Sequence, residues 1–562
     1  MIDSAMRLLR AAVSLALPDR LEWRVLPRPL VLMAIYALLV RAGFPPIGVP
    51  ALALVGITLF VWYFGKLRRY ITLRAGWWLG FTFGYVYFYT SAFWLHELVR
   101  YHILIPTALL LLAAVQALWI GLVGMGLAWT ARRAPEWLPL SAASLWTLAE
   151  WGRGAGELGF PFFRLGHLFW QTPGPAAWWG DLGLTFVTVL LCGGIAYLML
   201  NFIFLPGFYR RGTALAWAAQ MALGAAMLLI PALAPRPWLG IPTAPVTVAL
   251  VQPNIAQTRK MDVSMERLDV LRYELARQIQ RETFATIEGI PPGLAEVIIF
   301  PEATFPAASL QFDASLQATV FEQGRRLGAP MVIGADYWEN PNTDRERVYN
   351  AVFMIDPVEE AASGIYRKRH LVPFGEHVPY FDMIPGFQDI VVAIGSFNKG
   401  TGAQLLRFRG RSHPHVRIGI LLCFESAVGP LARQSLAAGA NLLAVTTNDG
   451  WFEKSSGLHY HFIHCAFRAA ETGLPVVQAA NTGITGVFDA TGRLASSIDP
   501  HQAGYLLATL DVPLRAPTPA ETTPYARWGD AWLLALLVLL SGIAGRGLWR
   551  PGVLRMASPR MA

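Results

Sequence analysis

The sequence predicts a multi-span α-helical membrane domain joined to a separate α/β domain, and three observations carry that prediction. Apolar residues fill 54% of the 562 positions and charged residues only 15%, against about 25% charged in an ordinary soluble domain. Long uncharged runs crowd the first 235 residues, and one more follows near the end. Between them, from Arg236 to about Arg527, charges return and short β-rich runs alternate with helical stretches. A disordered chain is excluded, and so is a wholly soluble one. The length itself calls for more than one structural unit.

A spanning helix needs about 20 apolar residues to cross about 30 Å of hydrocarbon. Ala75–Leu95, Ile103–Thr130, Leu182–Leu205 and Ala214–Ala234 reach that length. Pro29–Val40, Ala51–Phe64, Leu138–Ala149 and the leucine-dense Ala531–Ala544 are shorter and need flanking residues to complete a span. Eight spans result. The cations test the count. Arg7, Arg10, Arg20, Arg24, Arg28, Lys66, Arg68, Arg69, Arg74, Arg132, Arg133, Arg210, Arg211, Arg546, Arg550, Arg555 and Arg560 all fall on one side of that plan. The opposite short connections hold only Arg41, Arg100, Arg153 and Arg164. The positive-inside rule then places both termini in the cytoplasm. The net charge of +9 is read through this placement, with no nucleic-acid partner expected. The first residues lack the apolar stretch and small-residue site of a cleaved leader, so none is expected.

The plan divides the chain into residues 1–235, a membrane domain with seven spans; 236–527, a catalytic domain outside the cytoplasm; and 528–562, the last span and a cytoplasmic tail. In the middle part Val246–Leu250, Val297–Phe300, Met331–Gly334, Val352–Ile355, Ile418–Leu422 and Leu442–Thr446 read as buried strands. Met265–Ile287 and His459–Glu471 read as helices, and Pro513–Pro524 as a linker. The alternation makes this an α/β domain.

Three segments of that domain carry reactive groups. Glu302 follows the run Ile298-Ile-Phe-Pro-Glu302, Lys368 lies in Tyr366-Arg-Lys-Arg-His370, and Cys423 ends the apolar run Ile418-Gly-Ile-Leu-Leu-Cys423. A thiolate is a competent nucleophile, and a carboxylate within hydrogen-bond reach can generate it. A lysine ammonium can hold the oxyanion of a tetrahedral intermediate, with the N–H after the cysteine as a second donor. Taken alone, Cys423 reads as a small buried hydrophobe, Lys368 as a surface charge and Glu302 as a loop carboxylate or helix cap. Spacing by itself does not bring the three together.

With their flanks and order, Glu302, Lys368 and Cys423 resemble the Glu-Lys-Cys triad of the nitrilase superfamily. Within it the chain is similar to the apolipoprotein N-acyltransferases. Val372-Pro-Phe-Gly-Glu376, Cys423-Phe-Glu425, Gln252-Pro-Asn254, Thr447-Asn-Asp-Gly-Trp-Phe452, Arg468-Ala-Ala-Glu471, Asn481-Thr-Gly-Ile-Thr485, Glu150 and Gly159-Phe-Pro161 extend the likeness over about residues 150–492. The resemblance implies a nitrilase-like αββα sandwich and a two-step acyl transfer through a Cys423 thioester. Glu302 would be the base, Lys368 the oxyanion partner, and Glu376 and Glu425 supporting residues. The acyl donor would be a phospholipid, in first place the sn-1 ester of phosphatidylethanolamine. The acceptor would be the α-amino group of a diacylglyceryl-cysteine lipoprotein. No metal and no cofactor are implied, and the location would be the bacterial inner membrane. Three positions depart from the family pattern: Met261 stands where a tryptophan is expected, Phe424 where a tyrosine is commoner, and His377 where an aromatic is usual. Met261 and Phe424 keep apolar bulk and read as substrate contacts.

Other candidates read more plainly. His459, His461, His464 and Cys465 lack zinc-type spacing, and the first points away from the helix face that the others share. Together with Cys192, the cysteines form no disulfide framework. His370 is an alternative base near Lys368. Glu150, Arg153 and Arg164 read as interface anchors, with a lipid head-group contact as the alternative. A membrane-tethered amidase, discharging the acyl-enzyme to water, uses the same triad but has no need of eight spans. A degenerate lipid-binding scaffold is disfavoured by the intact triad. No association motif is evident, so a monomer is expected.

Overall fold

The computed structural model describes residues 27–101, 103–204, 211–306, 309–359, 361–377 and 397–548. Arg7, Arg10, Arg20, Arg24, Arg210, Arg550, Arg555 and Arg560 of the charge argument lie outside them. Among the described residues helices come first: α1 (Pro27–Ala42), α2 (Pro50–Leu67), α3 (Leu73–Ser91), α4 (Ile105–Arg133), α5 (Leu138–Arg153), α6 (Ala176–Leu198) and α7 (Arg211–Leu233). Each falls on one expected apolar run, and the eighth run is carried by a last helix, Leu533–Leu548. Among the described residues, five stretches are long and apolar enough to cross a membrane: Pro50–Leu67, Ile105–Arg133, Ala176–Asn201, Ala214–Gly240 and Pro524–Gly545. The run Ala75–Leu95 is not among them. Its helix, Leu73–Ser91, is long enough at 19 residues but is diluted by Arg74, three glycines and three tyrosines, and beyond it the chain turns into a 3-10 segment, Phe93–Arg100, whose Trp94 is buried against Phe452. Helices α1 and α5 have 16 residues each, about 24 Å at 1.5 Å per residue.

Close packing inside the bundle rests on missing side chains. A Cβ on Gly80 of α3 would stand 2.2 Å from the Ile120 carbonyl oxygen, and one on Gly124 of α4 would stand 2.2 Å from that of Gly76. The two backbones therefore touch, as small residues allow in membrane helices.

The second half is built from β1 (Thr243–Gln252), β2 (Val297–Ile299), β3 (Met331–Glu339), β4 (Arg347–Asp356), β5 (Ala361–Arg367), β6 (Leu405–Phe408), β7 (Val416–Leu422), β8 (Leu442–Thr447), β9 (Val476–Ala480), β10 (Thr485–Phe488), β11 (Leu494–Ile498) and β12 (Gly504–Pro513). Its helices are α8 (Gln257–Met265), α9 (Asp269–Ala285), α10 (Ala314–Leu327), α11 (Gly429–Ala437), α12 (Gly457–Thr472) and the short α13 (Pro524–Trp528), after which Leu533–Leu548 is α14. The helix expected over Met265–Ile287 is α9, which begins only at Asp269 because the chain is extended at Glu266 and Leu268, and α8 before it was not expected.

The strands form two mixed sheets, in the orders β12-β1-β2-β3-β4-β5 and β11-β10-β9-β8-β7-β6. In each, three parallel strands, β1 to β3 and β7 to β9, are flanked by antiparallel partners. Side-chain alternation makes the layers. Val246, Val248, Leu250, Ile418, Ile420 and Leu422 meet between the sheets. Ala249 and Val251 turn outward to Phe284, Leu316 and Val320 on α9 and α10. Leu421, Leu443 and Val445 turn outward to Leu431, Cys465 and Ala469 on α11 and α12. Helix, sheet, sheet, helix is the αββα order. Strands β1 and β12 pair antiparallel from Thr243–Pro513 to Gln252–Gly504, so the chain enters and leaves the sandwich at one place.

The two halves share apolar packing. Phe424, Ala427 and Tyr460 of the sandwich belong to the same buried cluster as Phe83, Trp146 and Phe163 of the helical half. Tyr460 also donates to the Pro45 carbonyl, at 3.0 Å.

Candidate active site

Glu302 stands just beyond the carboxyl end of β2, Cys423 just beyond β7 and Asn448 just beyond β8. In open parallel sheets this end is where ligands bind. Lys368 follows β5, whose last strand pair, Ala351 with Arg367, sets it beside β4. The structure therefore brings the three sequence-predicted residues together from two sheets.

The hydrogen bonds close the cluster. Glu302 Oε1 accepts from Asn350 Nδ2 at 2.8 Å and from Lys368 Nζ at 3.3 Å, while Oε2 accepts from the Asn448 N–H at 2.9 Å. The Cys423 thiol faces this carboxylate. Lys368 Nζ and Asn350 Nδ2 each reach Glu376 Oε1 as well, both at 2.8 Å. An ammonium carries three donors, and these two carboxylates take two of them. Among the described residues nothing else takes the third, which leaves it for an oxyanion.

Burial alone would raise the Glu302 carboxyl, but Lys368, Asn350 and the Asn448 N–H overcome it and hold it below the usual carboxylate range. Burial would likewise lower Lys368, and the facing Glu302 and Glu376 raise it instead. Burial, then the Glu302 charge, push the Cys423 thiol well up, against the opposite pull of Lys368. The resting pair is thus a thiol beside a carboxylate ready to take its proton. Cys423 is half-buried, unlike the other two cysteines, and its φ is +54°. A non-glycine residue seldom enters that region, and such strain gathers at functional sites.

Two buried groups hold the strained turn. The Cys423 carbonyl accepts from His461 Nε2 at 2.9 Å, and His461 Nδ1 faces Asp449 Oδ1 at 2.9 Å. Both ring nitrogens face acceptors. Burial works against the imidazolium, and Asp449 outweighs it, so the histidine is raised. Glu425 accepts from the N–H groups of Leu422, Arg369 and His370 and from the Tyr366 hydroxyl, at 2.7–2.9 Å. It ties the chain on both sides of Lys368 to the nucleophile turn.

Of the expected substrate contacts, Phe424 lies between two rings. Phe162, from the connection after α5, stacks on it at 5.7 Å, and His370 stacks at 5.7 Å. Met261 is half-buried on α8. His370 is pushed down to about 4 by burial, then by Lys399 and Lys368, and its partners are the Phe424 ring and Glu425. His377 faces Glu157 at 3.4 Å, which accounts for an ionisable residue at that position.

The reading of Glu150, Arg153 and Arg164 as interface anchors or head-group contacts is overturned. Arg164 Nη1 donates to both Asp181 oxygens at 2.8 Å, and Arg153 donates to the Phe160 carbonyl at 2.8 Å. Glu150 accepts from Trp146, Thr185 and the Leu165 N–H. All three are buried, so protein partners occupy them. His461, His464 and Cys465 are buried while His459 is exposed. Among the described residues no group of three His, Cys, Asp or Glu is placed to hold a metal ion.

Sequence reasoning missed Asn350, Lys260, Asp336 and the Asp449–His461 pair as parts of the site. Asn350 left a trace, a lone amide within the apolar strand Val348-Tyr-Asn-Ala-Val352. Lys260, in a polar helix, left none.

Residues 36–195 match the family described as Apolipoprotein N-acyltransferase N-terminal domain, and residues 247–520 match Carbon-nitrogen hydrolase. Relatives named Apolipoprotein N-acyltransferase occur in Geobacter metallireducens (30% identical, covering 85% of this chain and 88% of the relative) and Rhizobium leguminosarum bv. trifolii (31%, covering 92% and 96%). A third, from Bradyrhizobium diazoefficiens, is 33% identical and covers 78% of this chain and 79% of its own.

Proposed function

The chain belongs to the apolipoprotein N-acyltransferase family, and from that premise we propose how its own residues carry out lipoprotein N-acylation. The donor is a phospholipid, with the sn-1 ester of phosphatidylethanolamine first in line. Glu302 takes the Cys423 proton and the thiolate adds to the ester carbonyl. The oxyanion rests on the free donor of Lys368. Collapse breaks the ester C–O bond, and the departing lysophospholipid oxygen takes the proton from Glu302, leaving a thioester on Cys423. The α-amino group of a diacylglyceryl-cysteine lipoprotein then attacks. Glu302 removes its proton, the C–S bond breaks, and the thiol is restored as the amide leaves.

One observation carries this reading: a half-buried thiol on a strained turn faces a carboxylate that an ammonium keeps ionised. The nucleophile turn packs on Phe162 of the helical half, a suitable place to receive bilayer-held substrates. The reading takes residues 1–235 and 528–562 as the membrane part, with both termini cytoplasmic, and 236–527 as a periplasmic catalytic part of an inner-membrane monomer. Glu376 and Glu425 serve as positioning residues.

The test uses purified protein and phosphatidylethanolamine labelled in the sn-1 chain. Label should stay on the wild type, be released by hydroxylamine, and be missing from Cys423→Ala. A diacylglyceryl peptide with a free amine should then collect it. No label on the wild type would overturn the donor assignment, and release of free fatty acid to water without peptide transfer would favour the amidase reading. Cross-linking in native membranes that trapped a specific homodimer would remove the monomer.

A further inference from the structure

We infer that Lys260 is a positioning residue for the Glu302 base: from α8 it holds the peptide that follows Glu302 and, by its own charge, sets how strongly that carboxylate takes a proton. The inference rests on the assignment of Glu302 as base.

Lys260 is 4% exposed, and its Nζ donates to the Ala303 carbonyl at 2.8 Å. Ala303 has φ +46°, a second non-glycine residue of the site in the left-handed region. The turn around it is clamped from several sides. The Thr304 hydroxyl donates to the Pro301 carbonyl at 2.7 Å, and its N–H donates to Gly334 on β3 at 2.9 Å. Gly334 allows that approach, since a Cβ there would stand 2.7 Å from the Glu302 Cα. Lys260 is the clamp from α8. One turn earlier on the same helix face, Gln257 accepts from Asn448 Nδ2 at 2.9 Å, and the Asn448 N–H is a donor to Glu302. Helix α8 thus reaches the catalytic carboxylate twice, once through its backbone and once through its partner.

The charges around it number more than the triad. Glu302 stands after β2, Asp336 on β3, Lys368 and Glu376 after β5, and Cys423 after β7. Burial pushes the Lys260 amine down to about 7, with Glu302 pulling the other way. Burial, then Glu302 and Glu376, push the Asp336 carboxyl up to about 6. The sign is the same for both. Below neutrality the Lys260 ammonium stabilises anionic Glu302 and makes it a weaker base; above, that charge is gone and the base is stronger. Ionisation of Asp336 also adds negative charge beside Glu302. Thioester formation should therefore rise with pH in two steps, the lower from Asp336 and the upper from Lys260.

The experiment measures the rate of thioester formation on the full-length protein from phosphatidylethanolamine, without acceptor, over about pH 5 to 9. Lys260→Gln keeps a donor for Ala303 and removes the charge, so it should lose the upper step and keep the lower. Lys260→Arg should keep the lower step and lose the upper one, holding the rate above neutrality at the level set by the charged side chain. Lys260→Met should run at least tenfold slower at every pH. A purely structural lysine would lower all rates alike and leave the profile unchanged in shape. An upper step that persists in Lys260→Gln would overturn the inference, and so would a Met variant as fast as the wild type. Should Lys260→Met fail to fold, the Gln and Arg variants decide. Should the wild type form no thioester, the donor assignment fails. The pH dependence of Cys423 alkylation by iodoacetamide in the same variants then decides Lys260 separately, the upper step being expected there too.

Discussion

Two clusters of buried charge lie close together in this molecule, and they do different things. Around Cys423, which follows β7 of one sheet, stand Glu302, Lys368 and Glu376, which follow β2 and β5 of the other. Where the sandwich meets the helices, Arg164, His167 and Asp181 meet Arg468 and Glu471 of α12. In the second cluster Arg468 donates to the Ser426 and Ala427 carbonyls and to Glu471, while Glu471 accepts the Asp181 N–H at 3.1 Å. All five of its ionisable side chains are at or below 11% exposure. It has no exposed nucleophile and no residue at positive φ among these five. Burying ions is costly in either place. What separates the proposed active site from the ion cluster is the half-buried thiol on a strained backbone.

That contrast can be broken or sharpened by substitution. The largest effect is expected at Glu302→Gln, which should lower thioester formation on the order of 10⁴-fold while the melting temperature in detergent stays near the wild-type value. A large melting loss with residual activity would reverse the two roles. Asp181→Asn should do the opposite. Removing one partner of a buried ion cluster costs about 3–5 kcal/mol, read as a lower melting temperature, while the folded fraction keeps its rate per active site. Glu425→Gln belongs between the two: its amide would face N–H donors, the turn would shift, and acylation should fall about 10²-fold. His459→Ala, on the exposed face of α12, should change stability by no more than about 0.5 kcal/mol and leave turnover intact. A measurable loss there would point to a contact beyond the chain.

The eight helices were legible because uncharged runs of helical length have few other uses, and the charges between them repeat the alternation. Six strands were legible for the same reason, being short apolar runs buried on both faces. Strands β5 and β11 were not, since Ala361-Ala-Ser-Gly364 and Leu494-Ala-Ser-Ser497 alternate small and polar residues at sheet edges. Helix α8 was hidden because Gln257-Thr-Arg-Lys-Met-Asp-Val263 is short and polar, with no apolar stripe to mark it. In the site, Glu302, Lys368 and Cys423 were legible through the family resemblance of their flanks and order, since each alone reads as an ordinary residue. Asn350 and Lys260 act only through contacts made after the sheets assemble. The Arg164–Asp181–Arg468 cluster joins residues far apart in sequence, and in isolation each looks like an ordinary charge.

The pairing of β1 with β12 has a thermodynamic consequence. The helix before β1 and the helix after β12 both pack into one bundle, so the intervening chain stays tied at both ends even when its sheets melt. The bundle acts on the unfolded sandwich as a cross-link would, removing loop-closure entropy on the order of 5 kcal/mol by the scaling for long disulfide loops. A sandwich cut free of its helices forfeits that contribution, along with the apolar face that covers Phe424 and Tyr460.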